Sequence, residues 1–274
     1  MSFSNSTLQL DKQQDFSLSI KIDNIIWLIV ADGHTSYPIQ SYKHRTIFEF
    51  IQRLNWESFL KLNSEDPLKS LHQKIDKEIQ DTKNNGSTIS IVKIENNNVK
   101  IWWKGDSTTH IYENDKLIYK TKNHNIFEES EKLRLEKENI KYTHNKTGKK
   151  FKLLGNNCIE MVEWPQYITF ENNDKLNMTN CLGHNNITGD FIDYYEFNFT
   201  QNNKYKILCA SDGFWDVFYE NEDTSVILNY LHAEEITKFA ESKWKQEWQQ
   251  LWKNNKYTQK ITTWDDISVA IFNI

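Results

Sequence analysis

The stretch from Ile25 to His34, IIWLIVADGH, is the strongest indication of how this chain folds. Its unbroken apolar run predicts a strand that is buried on both faces, and the run ends in an aspartate followed by a glycine. Two later stretches also place aspartates beside apolar runs, LCASDGFWD at Leu208–Asp216 and WDDISV at Trp264–Val269. Carboxylates at strand ends suit Mg²⁺ or Mn²⁺, which prefer oxygen ligands and usually keep several waters. Because the three segments lie far apart in the sequence, only the fold could unite them in one metal site.

Length and composition exclude several classes of function. Of the 274 residues, 38% are hydrophobic and 14% aromatic, which is typical of a folded globule. We expect residues 1–274 to form a single domain. The net charge of −5 and the scarcity of arginine argue against a nucleic-acid partner. No apolar stretch reaches the length of a membrane span, and the N-terminus lacks the pattern of a signal peptide, so we expect no membrane association.

The cysteines and the compositional bias bear on where the protein works. Three cysteines without a CxxC pair predict reduced thiols and therefore a cytoplasmic location. The richness in Asn, Lys and Ile is what an organism or virus with an A/T-rich genome would impose. We further expect the protein to be a monomer.

Hydrophobic periodicity predicts strands in pairs and helices in pairs. The region from 148 to 200 has no clear period, and a Trp244, Trp248, Trp252 stripe at helical spacing is expected to pack in the core. This order favours a layered α+β domain with antiparallel sheets over a βαβ alternation. The predicted strands are 17–22, 25–30, 87–94, 99–103, 109–112, 117–119, 205–210 and 267–274, and the predicted helices are 42–61, 67–79, 128–138 and 225–252.

Short motifs along the chain resemble one family. In chain order they are GST at 86–88, VKIWWKGDS at 99–107, NH at 123–124 before EKLR at 131–134, LNMTNCLGH at 176–184, SDGFWD at 211–216 and DDIS at 265–268. This series is similar to the GSTA, GDSR, DH, ExxRI, LxxTRSLGD, SDGLWD and DNIT patterns of the metal-dependent type 2C serine/threonine protein phosphatases. Each match is short, but their order covers nearly the whole chain.

The resemblance implies a fold and a site. The fold is a four-layer αββα sandwich, with antiparallel sheets flanked by helix pairs and a binuclear metal site at one end. Asp32 would bridge two ions, and the Gly33 carbonyl would bind one of them. Asp212 and Asp265 would bind the other ion, and Asp15 would hold metal-bound waters.

The resemblance also implies an activity, the hydrolysis of phosphoserine and phosphothreonine in phosphorylated proteins. Two Mg²⁺ or Mn²⁺ ions roughly 3.5–4 Å apart would activate a bridging hydroxide and neutralise the phosphoryl oxygens. His34 would be the general acid for the leaving alcohol, because the pKa of an imidazole lies near operating pH. Asp106 would help to bind a third, weaker ion.

The chain departs from the family pattern at three notable positions. Leu10 stands where the family has a phosphate-contacting arginine, and Lys12 is the nearest cation that could take over that contact. His184 replaces the aspartate of the LGD motif and is expected to be a surface or loop residue. Thr35 follows His34 where the family has glycine.

Other interpretations remain open. Asp-Gly is a common turn dipeptide, so each motif taken alone could be an ordinary loop. The altered residues also suit a catalytically weak or inactive relative that serves as a binding or scaffold protein. A metal-dependent nuclease or phosphodiesterase is a weaker alternative, because the chain is acidic and nearly lacks arginine.

Overall fold

A computed structural model describes most of the chain. The described residues are 1–10, 12–35, 45–144, 149–154, 158–163, 168–171, 175–185, 187–218, 223–251, 258–260 and 264–274. No helix in this part of the chain is both long and apolar enough to cross a membrane.

Strands dominate the described structure, and helices fall in the intervals between them. The strands are β1 (Ser2–Leu8), β2 (Asp15–Ile22), β3 (Ile25–Thr35), β4 (Asn85–Glu95), β5 (Asn98–Lys104), β6 (Thr108–Glu113), β7 (Lys116–Lys120), β8 (Tyr142–His144), β9 (Lys149–Leu154), β10 (Cys158–Glu163), β11 (Ile168–Phe170), β12 (Lys175–Leu176), β13 (Leu182–Gly183), β14 (Asp193–Asn198), β15 (Tyr205–Ala210), β16 (Trp248–Leu251), β17 (Thr258–Lys260) and β18 (Ile267–Asn273). The helices are α1 (Ile47–Arg53), α2 (Trp56–Leu62), α3 (Pro67–Glu78), α4 (Glu129–Lys137), α5 (Asp212–Trp215), a 3₁₀ helix (Thr224–Asn229) and α6 (Ala233–Glu247).

Two antiparallel sheets form the centre of the molecule. The six-stranded sheet has the order β14-β5-β4-β3-β2, with β13 paired to β4. The five-stranded sheet has the order β1-β18-β15-β6-β7. The second sheet therefore joins the two ends of the chain, because β1 pairs along its whole length with β18. Two smaller sheets, β12-β11-β8 and β10-β9-β16-β17, lie outside this pair.

Strand β3 shows why the chain forms layers. Side chains on successive residues of a strand point to opposite faces. On one face, Ile26, Leu28 and Val30 belong to a core that also contains residues of β15 and β18, so it fills the space between the sheets. On the other face, Trp27 and Ile29 pack with α1, α2 and α3.

The five-stranded sheet is covered in the same way. Leu208 and Ala210 of β15 pack with Phe214, the 3₁₀ helix and α6 in a separate core. The layers are thus helices, sheet, sheet and helices, as predicted. The four-layer αββα architecture is confirmed.

The predicted helix from 42 to 61 is divided in the structure. Helix α1 begins with a capping box, in which Thr46 accepts from the Glu49 backbone and the Glu49 side chain accepts from the Thr46 backbone. Leu54 is extended, and Asn55 then caps α2 by accepting from the Ser58 N–H at 3.1 Å. The prediction missed this break because the apolar period runs through it. Residues 42–44 lie outside the described residues.

The predicted helix from 225 to 252 was also too long. Helix α6 ends at Glu247, and β16 follows directly because it pairs with β9. Trp244 is buried and donates its indole N–H to the Gly213 carbonyl at 2.8 Å. The expected core stripe therefore stops after its first member, since Trp248 lies in a strand and Trp252 lies outside the described residues.

Candidate active site

Asp15 and Asp32 are brought together by the pairing of β2 with β3. The two residues are directly opposite each other in the antiparallel register. The Gly33 N–H then donates to the Gln14 carbonyl at 2.7 Å. A Cβ on Gly33 would lie 2.6 Å from Phe48, so only glycine lets α1 pack this closely against the strand end.

Ser211 connects these residues to the other sheet. Its hydroxyl donates to Asp15 Oδ2 at 2.7 Å and accepts from the Ser268 N–H at 3.0 Å. Asp212 is the next residue, at the start of α5. A Cβ on Gly213 would lie 2.0 Å from the Asp266 carbonyl oxygen, so the turn after β15 lies directly against the residue that precedes β18. The ends of β2, β15 and β18 therefore meet.

Asp106 lies in the short loop between β5 and β6. His124 holds this loop with two hydrogen bonds to Gly105. Its ring Nδ1 accepts from the Gly105 N–H at 2.8 Å, and its backbone N–H donates to the Gly105 carbonyl at 3.1 Å. With Nδ1 accepting, His124 Nε2 is left to donate to Asp193 at 3.0 Å. Gly105 has a φ of +99°, which a side chain would strain.

Burial and neighbouring carboxylates raise the pKa values of Asp15 and Asp32. Burial raises the pKa of Asp15 to about 7. The hydrogen bond from Ser211 lowers this pKa, whereas repulsion from Asp265 and Asp266 raises it. The pKa of Asp32 is raised well above its ordinary value by burial and then by Asp15, Asp212 and Asp265.

The same holds for the carboxylates of the second sheet. The pKa of Asp212 is raised well above its ordinary value by burial and then by repulsion from Asp265 and Asp106. Burial raises the pKa of Asp106 to about 6. Carboxylates raise one another's pKa in this way when they are buried together without a neutralising cation.

The residues fit a divalent cation, although they do not form a closed cage. In the described part of the chain, no three Asp, Glu, His or Cys side chains converge as a ready coordination set. However, Asp106 Oδ1 and Asp212 Oδ1 are buried without a hydrogen-bond partner among the described residues, although buried carboxylate oxygens are normally paired. Mg²⁺ keeps several waters and takes only one or two carboxylates, so an open set of this kind suits it.

Lys12 lies at the edge of the acidic region. Its ammonium is 2.6 Å from Asp265 Oδ2. Desolvation lowers the pKa of Lys12, but attraction to Asp265, with smaller contributions from Asp32 and Asp212, raises it above the ordinary value. Leu10, at the position of the family arginine, donates its backbone N–H to Asp266 Oδ1 at 2.5 Å.

His34 contacts a second histidine. Its Nδ1 lies 3.1 Å from His184 Nε2, and the two rings stack with centroids 5.0 Å apart. His184 lies in the loop that follows β13, which was one of the two expected positions, but it is only 1% exposed, so it is not a surface residue. Burial, then His184 and Lys12, lower the pKa of His34 well below its ordinary value. This direction departs from the expected pKa near neutrality, and its main cause is the burial of the ring.

Sequence reasoning missed two further residues of the site. Asp266 is buried, and its carboxylate accepts from the N–H groups of Leu10 and Gln14, at 2.5 and 2.8 Å. Ser211 holds Asp15, as described above. Both stand next to predicted metal ligands and within the SDGFWD and DDIS motifs, and this placement is the signal that could have found them.

With this geometry established, comparison with known proteins identifies the family. The sequence profile of protein phosphatase 2C matches residues 9–156, which is more than half of the chain. The chain belongs to the protein phosphatase 2C family. The match includes Asp15, Asp32 and Asp106, whereas Asp212 and Asp265 lie beyond it. Among curated proteins, no sequence matches significantly.

Several solved structures share the fold of this chain. A serine/threonine phosphatase of S. agalactiae aligns with a TM-score of 0.55 and 16% identity, over 98% of each chain. The Mycobacterium tuberculosis serine/threonine phosphatase PstP/Ppp aligns with a TM-score of 0.54 and 12% identity, over 98% of this chain and 97% of its own. A C. elegans sex determining protein aligns with a TM-score of 0.61 and 18% identity over 98% of this chain, which spans 64% of the length of that protein. At these identities the likeness establishes the fold.

Proposed function

We propose that this protein is a Mg²⁺- or Mn²⁺-dependent protein serine/threonine phosphatase. One observation carries the proposal: carboxylates from both sheets meet at one end of the sandwich and raise one another's pKa. Burying them together is costly unless a cation neutralises them. Membership of the protein phosphatase 2C family supports the same activity and implies phosphoprotein substrates.

In this proposal the acidic residues divide into ligands of two ions. Asp32 would be shared by the two ions. The Gly33 carbonyl would hold one of them, and Asp212 and Asp265 would hold the other. Asp15 would orient coordinated water, and Asp106 would serve a third, weaker ion. When bound, such ions lower the pKa of a water and neutralise phosphoryl charge.

Lys12 and His34 would complete the site. The ammonium of Lys12 already lies at Asp265, so it would add positive charge for a phosphoryl oxygen where the family has arginine. A lysine offers a point charge and no bidentate fork, so we expect weaker phosphate binding than an arginine would provide. His34 would donate a proton from Nε2 to the leaving oxygen, because a bound phosphate dianion would raise the pKa of the neighbouring imidazole.

Hydrolysis of a phosphothreonine peptide tests the proposal. Assays with Mn²⁺, with Mg²⁺ and with EDTA would be compared for the wild type, Asp32→Asn and Asp212→Asn. We expect turnover that requires metal and that falls at least about 100-fold in each variant, since each loses a proposed ligand. Asp23→Asn, an exposed position away from the site, is the matched control and should retain full activity.

Calorimetry of Mn²⁺ binding separates the possible failures. Metal-dependent turnover that survives Asp32→Asn would contradict the assigned site. Metal binding without turnover of any phosphopeptide would instead favour a protein phosphatase 2C relative that binds partners and does not catalyse.

A further inference from the structure

The His34 and His184 rings meet over a glycine of the strand between them. Gly86 of β4 is opposite His34 of β3 on one side and opposite Gly183 of β13 on the other. A Cβ on Gly86 would lie 2.6 Å from His34 Cε1 and 2.8 Å from His184 Cδ2. The missing side chain therefore creates the space in which the two rings stack.

Backbone contacts hold His184 in this position. Its φ of +48° is unusual for a residue with a side chain and follows Gly183, whose φ is +84°. The His184 carbonyl accepts from the N–H groups of Ile187 and Thr188, at 2.8 and 3.0 Å. A buried histidine in a left-handed conformation costs free energy, so its contacts must compensate.

The hydrogen bonds define which ring nitrogens carry protons. His184 Nδ1 lies 2.9 Å from the Lys83 carbonyl, which can only accept, so this nitrogen carries the hydrogen. In the neutral ring, His184 Nε2 is then an acceptor. It lies 3.1 Å from His34 Nδ1, which must therefore donate. The chain of bonds runs from His34 through His184 to Lys83.

The hydrogen bond to His184 determines which nitrogen of His34 can exchange a proton. With Nδ1–H committed to His184, Nε2 is the nitrogen that can exchange a proton with another group. It is buried and has no hydrogen-bond partner among the described residues. Buried polar atoms are rarely left unpaired, and those that are mark candidate positions for a ligand.

We propose that His184 is a positioning residue for His34: it accepts the Nδ1 hydrogen, so that a second proton on the His34 ring must sit on Nε2, from which it can pass to the leaving-group oxygen of the substrate. This inference rests on the proposed phosphatase function for its consequence in catalysis, but not for the hydrogen-bond arrangement itself. His184 stands where the family has an aspartate, so an acceptor is retained at this position although the residue differs.

Nuclear magnetic resonance of the imidazole nitrogens tests the arrangement without any activity. The full chain, labelled at histidine, would be measured with and without Mg²⁺, and signals would be assigned with His34→Gln and His184→Gln. We expect His34 and His184 as Nδ1–H tautomers in the wild type, although a free neutral histidine favours Nε2–H. In His184→Phe, which keeps a ring over Gly86 but has no acceptor, His34 should shift towards Nε2–H.

Leaving-group dependence tests the role in catalysis. Departure of para-nitrophenolate needs no proton, whereas departure of a threonine alkoxide does. We expect His184→Phe to reduce kcat on a phosphothreonine peptide by about 10- to 100-fold, part of the usual contribution of general acid catalysis, and to leave kcat on para-nitrophenyl phosphate within about 3-fold. His184→Gln, whose amide oxygen can accept from His34, should recover most of the loss. His232→Phe, at an exposed histidine, is the matched control and should leave both rates unchanged.

The outcomes separate this inference from the proposed function. An Nε2–H tautomer of His34 in the wild type would overturn the inference, whatever the activity. Equal loss of both substrates in His184→Phe would also overturn it, because this result indicates a structural role alone. A wild type that binds metal and shows the predicted tautomers but hydrolyses neither substrate would contradict the proposed function and leave the hydrogen-bond assignment standing.

Discussion

At the residue scale, Asp15 shows what the acidic site costs the fold. The residue is 2% exposed, and burial raises the pKa of its carboxyl from an ordinary 3.8 to about 7. Ser211 offsets part of this penalty with a hydrogen bond, but Asp265 and Asp266 add to it by repulsion. A residue with these properties stabilises the protein only when its charge is neutralised by a proton or by a cation.

The stability of the metal-free protein should therefore depend on pH. Between about pH 4 and pH 7 the folded chain holds a proton on Asp15 that the unfolded chain releases, so the folded state binds more protons. The free energy of unfolding should fall as the pH rises through this window, with about 1–4 kcal/mol from this group. Urea denaturation in EDTA at several pH values measures the slope.

Comparison with Asp15→Asn isolates this contribution. The amide cannot titrate, so the slope between pH 4 and pH 7 should be shallower in the variant than in the wild type, whereas Asp23→Asn should match the wild type. Identical slopes in wild type and Asp15→Asn would show that the Asp15 pKa is not raised in the folded state.

At the scale of elements, Asp266 fixes the connection between β1 and β2. This connection carries Lys12 and leads into Asp15, the first residue of β2. Two of its N–H groups, on Leu10 and Gln14, donate to the Asp266 carboxylate. A carboxylate can accept both bonds because each of its oxygens is an acceptor. The residue next to a proposed metal ligand thus holds the segment that brings Lys12 to the site.

Asp266→Asn should destabilise the protein by about 1–3 kcal/mol, because the amide offers one acceptor and turns its NH₂ group towards a backbone donor. Urea denaturation measures this change, with Asp23→Asn as the exposed control. The family pattern has asparagine at this position, so unchanged stability would mean that the β1–β2 connection adapts to either residue and that the two hydrogen bonds contribute little.

At the scale of the whole molecule, the core between the sheets unites the chain. Sheet order alone places residues 2–8 beside residues 267–273, and Leu28 of β3 packs with residues of β15 and β18. Since neither sheet can bury its inner face without the other, we propose that residues 1–274 fold as one domain.

Leu28→Ala should therefore destabilise the molecule as a unit. Leu28 is fully buried, so we expect a loss of about 2–5 kcal/mol in the free energy of unfolding. Tryptophan fluorescence and far-ultraviolet circular dichroism should report the same single, shifted transition. Leu62→Ala, at a residue 84% exposed, should change stability by no more than about 0.5 kcal/mol. Two separate transitions would contradict the single domain.

Strands whose own residues are apolar enough to show their burial could be predicted from the sequence alone. The apolar runs of β3 and β15 predicted strands buried on both faces, and the ordered motifs predicted the αββα fold. The edge strand β1 was not predicted, because it has no clear alternation and is defined by its pairing with β18. The end of α6 was missed for a similar reason, since β16 forms by pairing with a distant strand.

Which polar groups meet depends on the tertiary fold and could not be predicted from the sequence. Ser211 reaches Asp15, Asp266 reaches Gln14 and His34 reaches His184, in each case across more than a hundred residues of sequence. A local pattern specifies periodicity and burial over a few neighbouring residues. It carries no information on hydrogen bonds between strand ends that are brought together by pairing and by sheet packing. For that reason the acidic residues could be predicted as ligands one by one, whereas the partners that position them could not.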